Sequence, residues 1–412
     1  MKDMDKEMQD WVSRHASDDP LRLRLKYRGD DAIAQAIMQI ECRRKAASRI
    51  PLALQCDSFL FPTSLSAEQA TSEALASIHA DIAGYTPGKR HLDMTCGLGI
   101  DAFEAARRGA MVTAIDIAPE VAVAAVHNAE ALGLESRFAA LNADSSVYIA
   151  TTAESWDSIF IDPARRSDSG GRLTRISDCR PDVGSLLSRM LDLAPKIIIK
   201  ASPMLDMTAL AEELNQAAGK KGCVTRIIAV GTARECKEIV AVVEAGVERY
   251  ATVEAITYDA SQSRRIDFKV NGNAAPPSRH NLPIEGDLLY EPYPAVMKTM
   301  AWGAIASIDP STAQLNPNTH LFTSGTAIDT FPGIMMTIER VASMGGKTLK
   351  NIAKEYPKIN VATRNFPIQA PELAKRLKIK EGGALKLYGA RCGDKSTPAI
   401  IVARPHKTSI LG

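Results

Sequence analysis

The sequence predicts an α/β protein: a mostly parallel sheet covered on both faces, a helical region before it and small α+β segments after it. Three observations carry this expectation. Between residues 90 and 245 short apolar runs alternate with helix-length segments, the pattern of a parallel sheet wrapped by helices. Residues 1–85 show helical caps and spacing. Residues 246–412 break into short mixed elements around a loop-like stretch, Gly272-Asn-Ala-Ala-Pro-Pro-Ser278. The expected divisions are 1–85, 86–247, 248–330 and 331–412.

In chain order, Asp30-Asp31 can cap a helix that carries Ile33, Ile37 and Ile40 on one face, with Pro51 at or just beyond its end. Leu21–Leu25 alternates Leu with Arg and is too short to assign. Thr63 or Ser64 can cap a second helix running through Ala67–Ile82, with Leu75 and Ile78 facing inward. No chemistry is legible in this region. The strand candidates come next: His91–Met94, Met111–Ile115, Arg137–Leu141, Trp156–Ile161, Lys196–Lys200, Val224–Val230 and Glu238–Val243. Helical patterns such as Pro119–Leu132 and Met207–Ala217 lie between them. The last two runs have little between them, which predicts an antiparallel pair at the end of the sheet. Ala251–Tyr258 alternates with period 2. Pro371–Leu377 reads as a short helix, and Ala384–Ala390 and Ala399–Ala403 read as strands.

Composition narrows the function classes. Of 412 residues, 45% are hydrophobic and 24% charged, which excludes a disordered or collagen-like chain. No apolar run approaches the roughly 18–20 residues of a membrane helix. The N-terminus has mixed charge and no apolar core, so a secretory signal is not expected and a cytoplasmic location is. The seven cysteines lack metal-ligand or C-x-x-C spacing, so free thiols and no metal are expected. Net charge is +2, yet residues 331–412 hold 15 basic and 5 acidic residues. Such a block predicts either a polyanion-facing module or a lysine-rich solvated face.

The most informative segment is His91-Leu-Asp-Met-Thr-Cys-Gly-Leu-Gly-Ile-Asp-Ala-Phe103. A strand runs into a tight turn at Gly97 and Gly99 and then into a helix. Glycine there lets a ligand approach the backbone closely. Gly97-x-Gly99-x-x-Ala102 also fits a dinucleotide fingerprint. Three carboxylates separate the two readings. Asp93, four residues before Gly97, suits an ammonium and would repel a pyrophosphate. Asp116 ends the second strand, where a ribose would be held. Asp144 follows the third strand and can meet an adenine amino group. Together they describe a cationic amino-acid–nucleoside ligand.

These residues resemble motifs I to IV of the class I S-adenosylmethionine-dependent methyltransferases: Asp93-x-Thr-Cys-Gly-x-Gly, Asp116, Asp144 and Asp162-Pro163. The resemblance implies a Rossmann-like seven-stranded sheet with a reversed last strand over about residues 85–245. It implies S-adenosylmethionine contacts at Asp93 and Gly97–Gly99 for the methionine end, Asp116 for the ribose and Asp144 for the adenine. Thr95, Cys96, Asp101 and Ile117 complete the expected cofactor set. Nearly the whole chain resembles the bacterial THUMP-like-domain methyltransferases, through the motif I segment Asp93–Asp101, Asp162-Pro-Ala-Arg-Arg166, Lys200-Ala-Ser-Pro-Met-Leu-Asp206, Leu289-Tyr-Glu-Pro292 and Thr363-Arg-Asn-Phe-Pro367. That likeness implies a ferredoxin-like segment near 280–320 and a THUMP-like C-terminal module, THUMP domains being RNA-binding.

The expected catalytic set is Asp162, Pro163, Arg165, Arg166 and Lys200. Asp162 is placed to accept a hydrogen bond from a substrate amine, to act as a base, or only to shape its loop. Arg165 and Arg166 can clamp phosphates. Lys200 either faces substrate or pairs with an aspartate. Ala164 and Arg165 stand where adenine N-methyltransferases have Pro and an aromatic, which weighs against that reaction. Cys179 lacks the context of a nucleophile. Ser167–Arg180 is a candidate substrate loop offering Arg172, Arg175 and Arg180. In the basic block, Lys347, Lys350, Lys354, Lys358, Arg364, Lys375, Arg376, Lys378 and Lys380 are interleaved with Phe366 and Tyr388. The expected function is methyl transfer to RNA. A methyltransferase for protein or a small molecule, a non-catalytic RNA-binding protein retaining the fold, and a nicotinamide oxidoreductase are the alternatives.

Overall fold

The structure is a computed structural model that describes residues 6–165, 175–248, 251–272, 275 and 277–406. Of the expected site residues, Arg166 and Arg172 lie outside the described residues, as do the side chains of Arg165 and Lys347. The chain divides into two compact units, Met1–Arg226 with Val240–Ala251, and Ile227–Ile239 with Thr252–Gly412.

The first unit opens with five helices: α1 (Lys6–Arg14), α2 (Pro20–Lys26), α3 (Asp31–Ala46), α4 (Ser64–Gln69) and α5 (Glu73–Ala83). Asp19 and Asp30 cap α2 and α3 through their side chains. Ile37 and Ile40 of α3 are buried, and Ile33 packs beside them. The single helix expected across Ala67–Ile82 is instead two. Thr63 caps α4, Ser72 caps α5, and the Arg49 guanidinium donates to the carbonyls of Ala67 and Glu68 that the break frees. Leu75 and Ile78 face inward, and Gly84 closes α5 in the left-handed conformation.

The sheet then builds from β1 (Arg90–Asp93), β2 (Met111–Asp116), β3 (Phe138–Asn142), β4 (Ser158–Ile161) and β7 (Lys196–Ala201). Between β4 and β7, β5 (Ala164–Arg165) and β6 (Cys179–Arg180) form a two-residue antiparallel ladder of their own. β1 pairs in parallel with β2 and β4, β2 with β3, and β4 with β7. Helices α6 (Ile100–Arg107), α7 (Pro119–Ala131), α8 (Ser145–Thr151), α9 (Val183–Leu193) and α10 (Met207–Ala218) connect them. Ile159, Ile161 and Ile197–Ile199 are fully buried, as expected of strands covered on both faces. The hairpin β8 (Gly222–Gly231) and β9 (Cys236–Ala245) comes after α10. β9 lies between β7 and β8, giving the order β3-β2-β1-β4-β7-β9-β8. The Ala245 N–H donates to Pro195 O just before β7, so β9 runs against its parallel neighbours.

In the second unit, the hairpin tip Ile227–Ile239 joins β10 (Thr252–Asp259) and β11 (Arg264–Lys269), which pair antiparallel from Glu254–Lys269 to Asp259–Arg264. A seven-stranded sheet has the order β13-β14-β12-β15-β18-β17-β16. Its strands are β12 (Leu288–Pro292), β13 (Ala313–Asn316), β14 (Thr319–Ser324), β15 (Gly333–Ser343), β16 (Asn360–Arg364), β17 (Lys386–Cys392) and β18 (Thr397–Pro405), with helices α11 (Pro294–Lys298), α12 (Trp302–Ala306), α13 (Gly346–Glu355) and α14 (Ala370–Leu377). The sheet curls until its far strands meet: Asn316 Nδ2 donates to Gly393 O (3.0 Å) and Thr319 Oγ1 to Arg391 O (2.7 Å). Leu289, Leu321, Met336, Tyr388 and Ile401 fill the interior, while Ile352, Leu373 and Leu377 form a second core with Leu387 and Ile400. No helix among the described residues is long and apolar enough to cross a membrane.

Candidate functional site

The carboxyl ends of β1–β4 gather the predicted residues. In a parallel sheet these ends are where ligands lie. The loop after β1 is strapped to both neighbours: Met94 N–H donates to Phe160 O (3.0 Å) and Cys96 N–H to Ile115 O (2.9 Å). It then turns through Gly97 (φ 52°) and Gly99 (φ 86°), the residue that precedes α6. A Cβ on Gly99 would meet the Phe103 ring at 2.7 Å, whereas one on Gly97 meets only Thr95 O, at 4.0 Å. Gly97 therefore lines open space, and a ligand can approach its backbone.

Acidic side chains hold this loop. Asp116 accepts from Gly97 N (2.9 Å) and Ala118 N (3.0 Å), which ties β2 to the glycine turn. Asp93, 1% exposed, accepts from Thr95 N (2.9 Å). Thr95 Oγ1 in turn accepts from Asp162 N (2.8 Å), fixing the segment after β4. Burial, with the charges of Asp101, Asp162 and Asp116 added, pushes the Asp93 carboxyl up to about 8. Burial also raises Asp101. The His79 charge and hydrogen bond, with help from Lys200 and Thr71, more than reverse it and leave Asp101 below the usual carboxylate range. Asp101 Oδ1 lies 2.6 Å from His79 Nδ1.

The other expected residues sit nearby with defined roles. Asp144 caps α8 through Ser146 N (2.8 Å) and is otherwise at the surface. Asn142 Nδ2 donates to the carbonyls of Asp116 and Ile117, and the Ile117 side chain is 70% exposed at the end of β2. That leaves an apolar surface beside the carboxylates. Lys200 Nζ is 2.5 Å from Asp162 Oδ2, so the lysine is paired with the aspartate. Pro163 follows, and the β5–β6 ladder returns Cys179 and Arg180 alongside Ala164 and Arg165. Cys96 and Cys179 are buried; burial first, then Asp93 and Asp116, pushes the Cys96 thiol well up. Arg175 and Arg180 are exposed.

Two features depart from expectation. Residues 1–85, where no chemistry is legible in the sequence, contribute a buried side chain beside the site: α5 places His79 against Asp101. The signal in sequence was one histidine on an apolar helix face, which reads as core. Tyr388 is not a surface aromatic: it is fully buried and donates to Glu291 Oε2 (2.6 Å), and Phe366 packs on the core beneath α14.

Three family models match: the THUMP domain-like family over residues 336–405, a ferredoxin-like domain over 288–332, and conserved hypothetical protein 95 over 62–170. No curated protein matches the chain. Among solved structures, a candidate methyltransferase from Porphyromonas gingivalis W83 is 25% identical with a TM-score of 0.82, covering 97% of this chain and 98% of its own. TrmN from Thermus thermophilus is 21% identical over 44% of this chain and 51% of its own, with a TM-score of 0.34, too low to add to the argument. The order β3-β2-β1-β4-β7-β9-β8 with β9 reversed, the glycine loop after β1 and the full-length likeness agree. The chain therefore has a Rossmann-like methyltransferase fold followed by a ferredoxin-like and a THUMP-like domain.

Proposed function

We propose that this chain transfers a methyl group from S-adenosylmethionine to RNA. The observation that carries the reading is the open glycine loop at Gly97, ringed by carboxylates on the ends of successive parallel strands. Such a site repels a diphosphate and favours a ligand with positive charge. The exposed Ile117 face suits an adenine, and the Asp116 oxygens each keep a lone pair for a ribose hydroxyl. On this reading Asp93, Thr95, Cys96, Gly97, Gly99 and Asp101 surround the methionine end, Asp116 and Ile117 the ribose and base, and Asp144 the adenine amine.

When bound, S-adenosylmethionine supplies a methyl group already activated on sulfur, so the protein's main task is alignment. Asp162 faces the acceptor and takes its proton or its hydrogen bond. Lys200 holds that carboxylate in one orientation. Arg165 and Arg166 hold acceptor phosphates. The RNA assignment rests on the THUMP-like match and on the excess of basic residues in 331–412.

Calorimetry with S-adenosylmethionine, S-adenosylhomocysteine and NAD tests the cofactor, and tritiated-methyl transfer into fractionated RNA and protein tests the acceptor. Both sulfur ligands are expected to bind, NAD is not, and label is expected in RNA. Asp162→Asn is expected to keep cofactor affinity and lose about 100-fold in transfer. NAD binding alone, or label in protein alone, overturns the proposal.

A further inference from the structure

Two motifs lie outside the site described, Leu289-Tyr-Glu-Pro292 and Thr363-Arg-Asn-Phe-Pro367. Within the second unit the fold joins them. Glu291, on β12, is enclosed, with a side chain 7% exposed. One of its oxygens accepts from Arg364 Nη2 on β16, the other from Lys386 Nζ and Tyr388 OH on β17. Burial raises the Glu291 carboxyl, but the Lys386 and Arg364 charges outweigh it and hold the group below its ordinary range. One carboxylate thus serves two cations, and the cluster keeps a net positive charge. Arg364 Nε is buried with no hydrogen-bond partner among the described residues, while the Arg364 and Lys386 side chains remain about a third exposed, at 31% and 30%.

An aromatic pair stands beside them. Asn365 Nδ2 reaches Thr319 Oγ1 (3.5 Å), which sets residues 364–365 alongside 319–320. The His320 ring stacks on Trp302 with centroids 3.8 Å apart and planes 12° apart. Both residues are partly exposed. Burial, and then the Arg364 charge, lower the His320 pKa, so the ring is a neutral aromatic at pH 7.

We propose that this cluster is a nucleotide subsite: Arg364 and Lys386 take a phosphate of single-stranded RNA and the Trp302–His320 pair takes its base. The proposal rests on the RNA reading above and names where that RNA is held. Cations alone would serve any polyanion. Cations beside a stacked aromatic pair fit a nucleotide, whose base stacks irrespective of sequence. Glu291 supplies the preorganisation. Long basic side chains lose rotamer freedom on binding, and a buried carboxylate that already fixes two of them removes much of that cost. The lysines of α14 and its end, Lys375, Lys378 and Lys380, are exposed, and no buried carboxylate among the described residues pairs with them.

The test is fluorescence anisotropy of the full-length protein with a labelled mixed-sequence RNA of about 12 nucleotides, titrated across salt, with melting followed in parallel. Arg364→Gln and Lys386→Gln are each expected to weaken binding about tenfold and lower the salt slope by about one. His320→Ala is expected to weaken binding about fivefold and leave the slope unchanged. The Lys375→Gln/Lys378→Gln/Lys380→Gln variant is expected to lose less than any of these. If Arg364→Gln does not fold, Lys386→Gln and His320→Ala decide, because both leave Glu291 paired with Arg364. Folded cluster variants that bind like the wild type, equal loss in the triple variant, or equal competition by polyglutamate would each overturn the subsite. Absence of RNA binding by the wild type overturns the RNA reading as well, whereas binding that the cluster variants do not change overturns the subsite alone.

Discussion

A carboxyl held up to about 8 is mostly protonated at pH 7, and Asp93 is such a group. Its folded value lies above the ordinary aspartate value. Its contribution to stability is therefore full below about pH 4 and is lost as pH rises through about 8. A ligand that brings positive charge reverses the preference and expels the proton. Binding of S-adenosylmethionine is expected to release a proton near pH 7 and to tighten from pH 6 to pH 8.5. Calorimetry in two buffers of different ionisation enthalpy reads this directly. Asp93→Asn should abolish the release and flatten the ligand-free stability between pH 6 and 9. Release of the same size in the variant would show that another group titrates. Asp116 gives a second residue-scale prediction. An asparagine has one acceptor oxygen where the carboxylate serves both Gly97 and Ala118. Asp116→Asn is expected to cost about 1–2 kcal/mol in a denaturant melt and to lower cofactor affinity more than tenfold. Unchanged affinity would place the ribose elsewhere. The strand-end aspartates were legible in sequence because each lies within or at most three residues beyond an apolar run: Asp93 inside His91–Met94, Asp116 and Asp162 directly after theirs, and Asp144 three residues after Leu141. His79 was not, because it acts from a helix 22 residues before Asp101. Tyr388 was misread because alternation along β17 sends Lys386, Tyr388 and Ala390 to one face, and the curled sheet encloses most of that face.

The start of α6 separates two uses of glycine. Gly99→Ala puts a Cβ into the Phe103 ring as well as a side chain into left-handed backbone. It is expected to cost several kcal/mol and to lower cofactor affinity as the turn shifts. Gly97→Ala meets only the backbone penalty, about 1–2 kcal/mol, because the space beside it is open. It should still fold, yet lose most cofactor affinity, since the methyl occupies the ligand's approach. Melting and calorimetry on the two variants check this. Retained affinity in folded Gly97→Ala would move the ligand off the loop. Helix α5 carries the complementary case. His79→Ala leaves Asp101 buried without its ring partner and is expected to cost about 3 kcal/mol in a urea melt. His79→Ala/Asp101→Ala should cost less than the two single changes together. The elements themselves were largely legible: all seven apolar runs became strands, with no end displaced by more than two residues. The break before α5 was hidden, since Ala70-Thr71-Ser72 has no glycine or proline and several Ser and Thr nearby can also cap.

At the scale of the whole chain, the compact units do not match the sequence divisions. Reading along the chain places the end of the methyltransferase region at 247. The units instead part within the β8–β9 hairpin, and its tip, Ile227–Ile239, belongs with β10 and the strands after it. Continuous apolar runs such as Ile227-Ile-Ala-Val230 announce burial on both faces without revealing what does the burying. The consequence is testable. A fragment of residues 1–247 keeps the hairpin but removes β10, the neighbour of β8 in the sheet. It uncovers Ile227, Ile228, Val230 and Ile239, each at most 2% exposed in the full chain. Each such side chain contributes about 1.5–3 kcal/mol when fully buried. The uncovered strand also presents a row of unpaired backbone groups. The fragment is therefore expected to aggregate, or to melt at least about 10 °C below the full chain. Co-expression with residues 248–412 should restore solubility and cofactor binding, because those residues supply both the strand partner and the apolar cover. Size-exclusion chromatography, thermal melts and calorimetry distinguish the outcomes. A monomeric 1–247 fragment that melts with the full chain would mean that the hairpin tip needs nothing from the second unit and that the sequence boundary at 247 is the physical one.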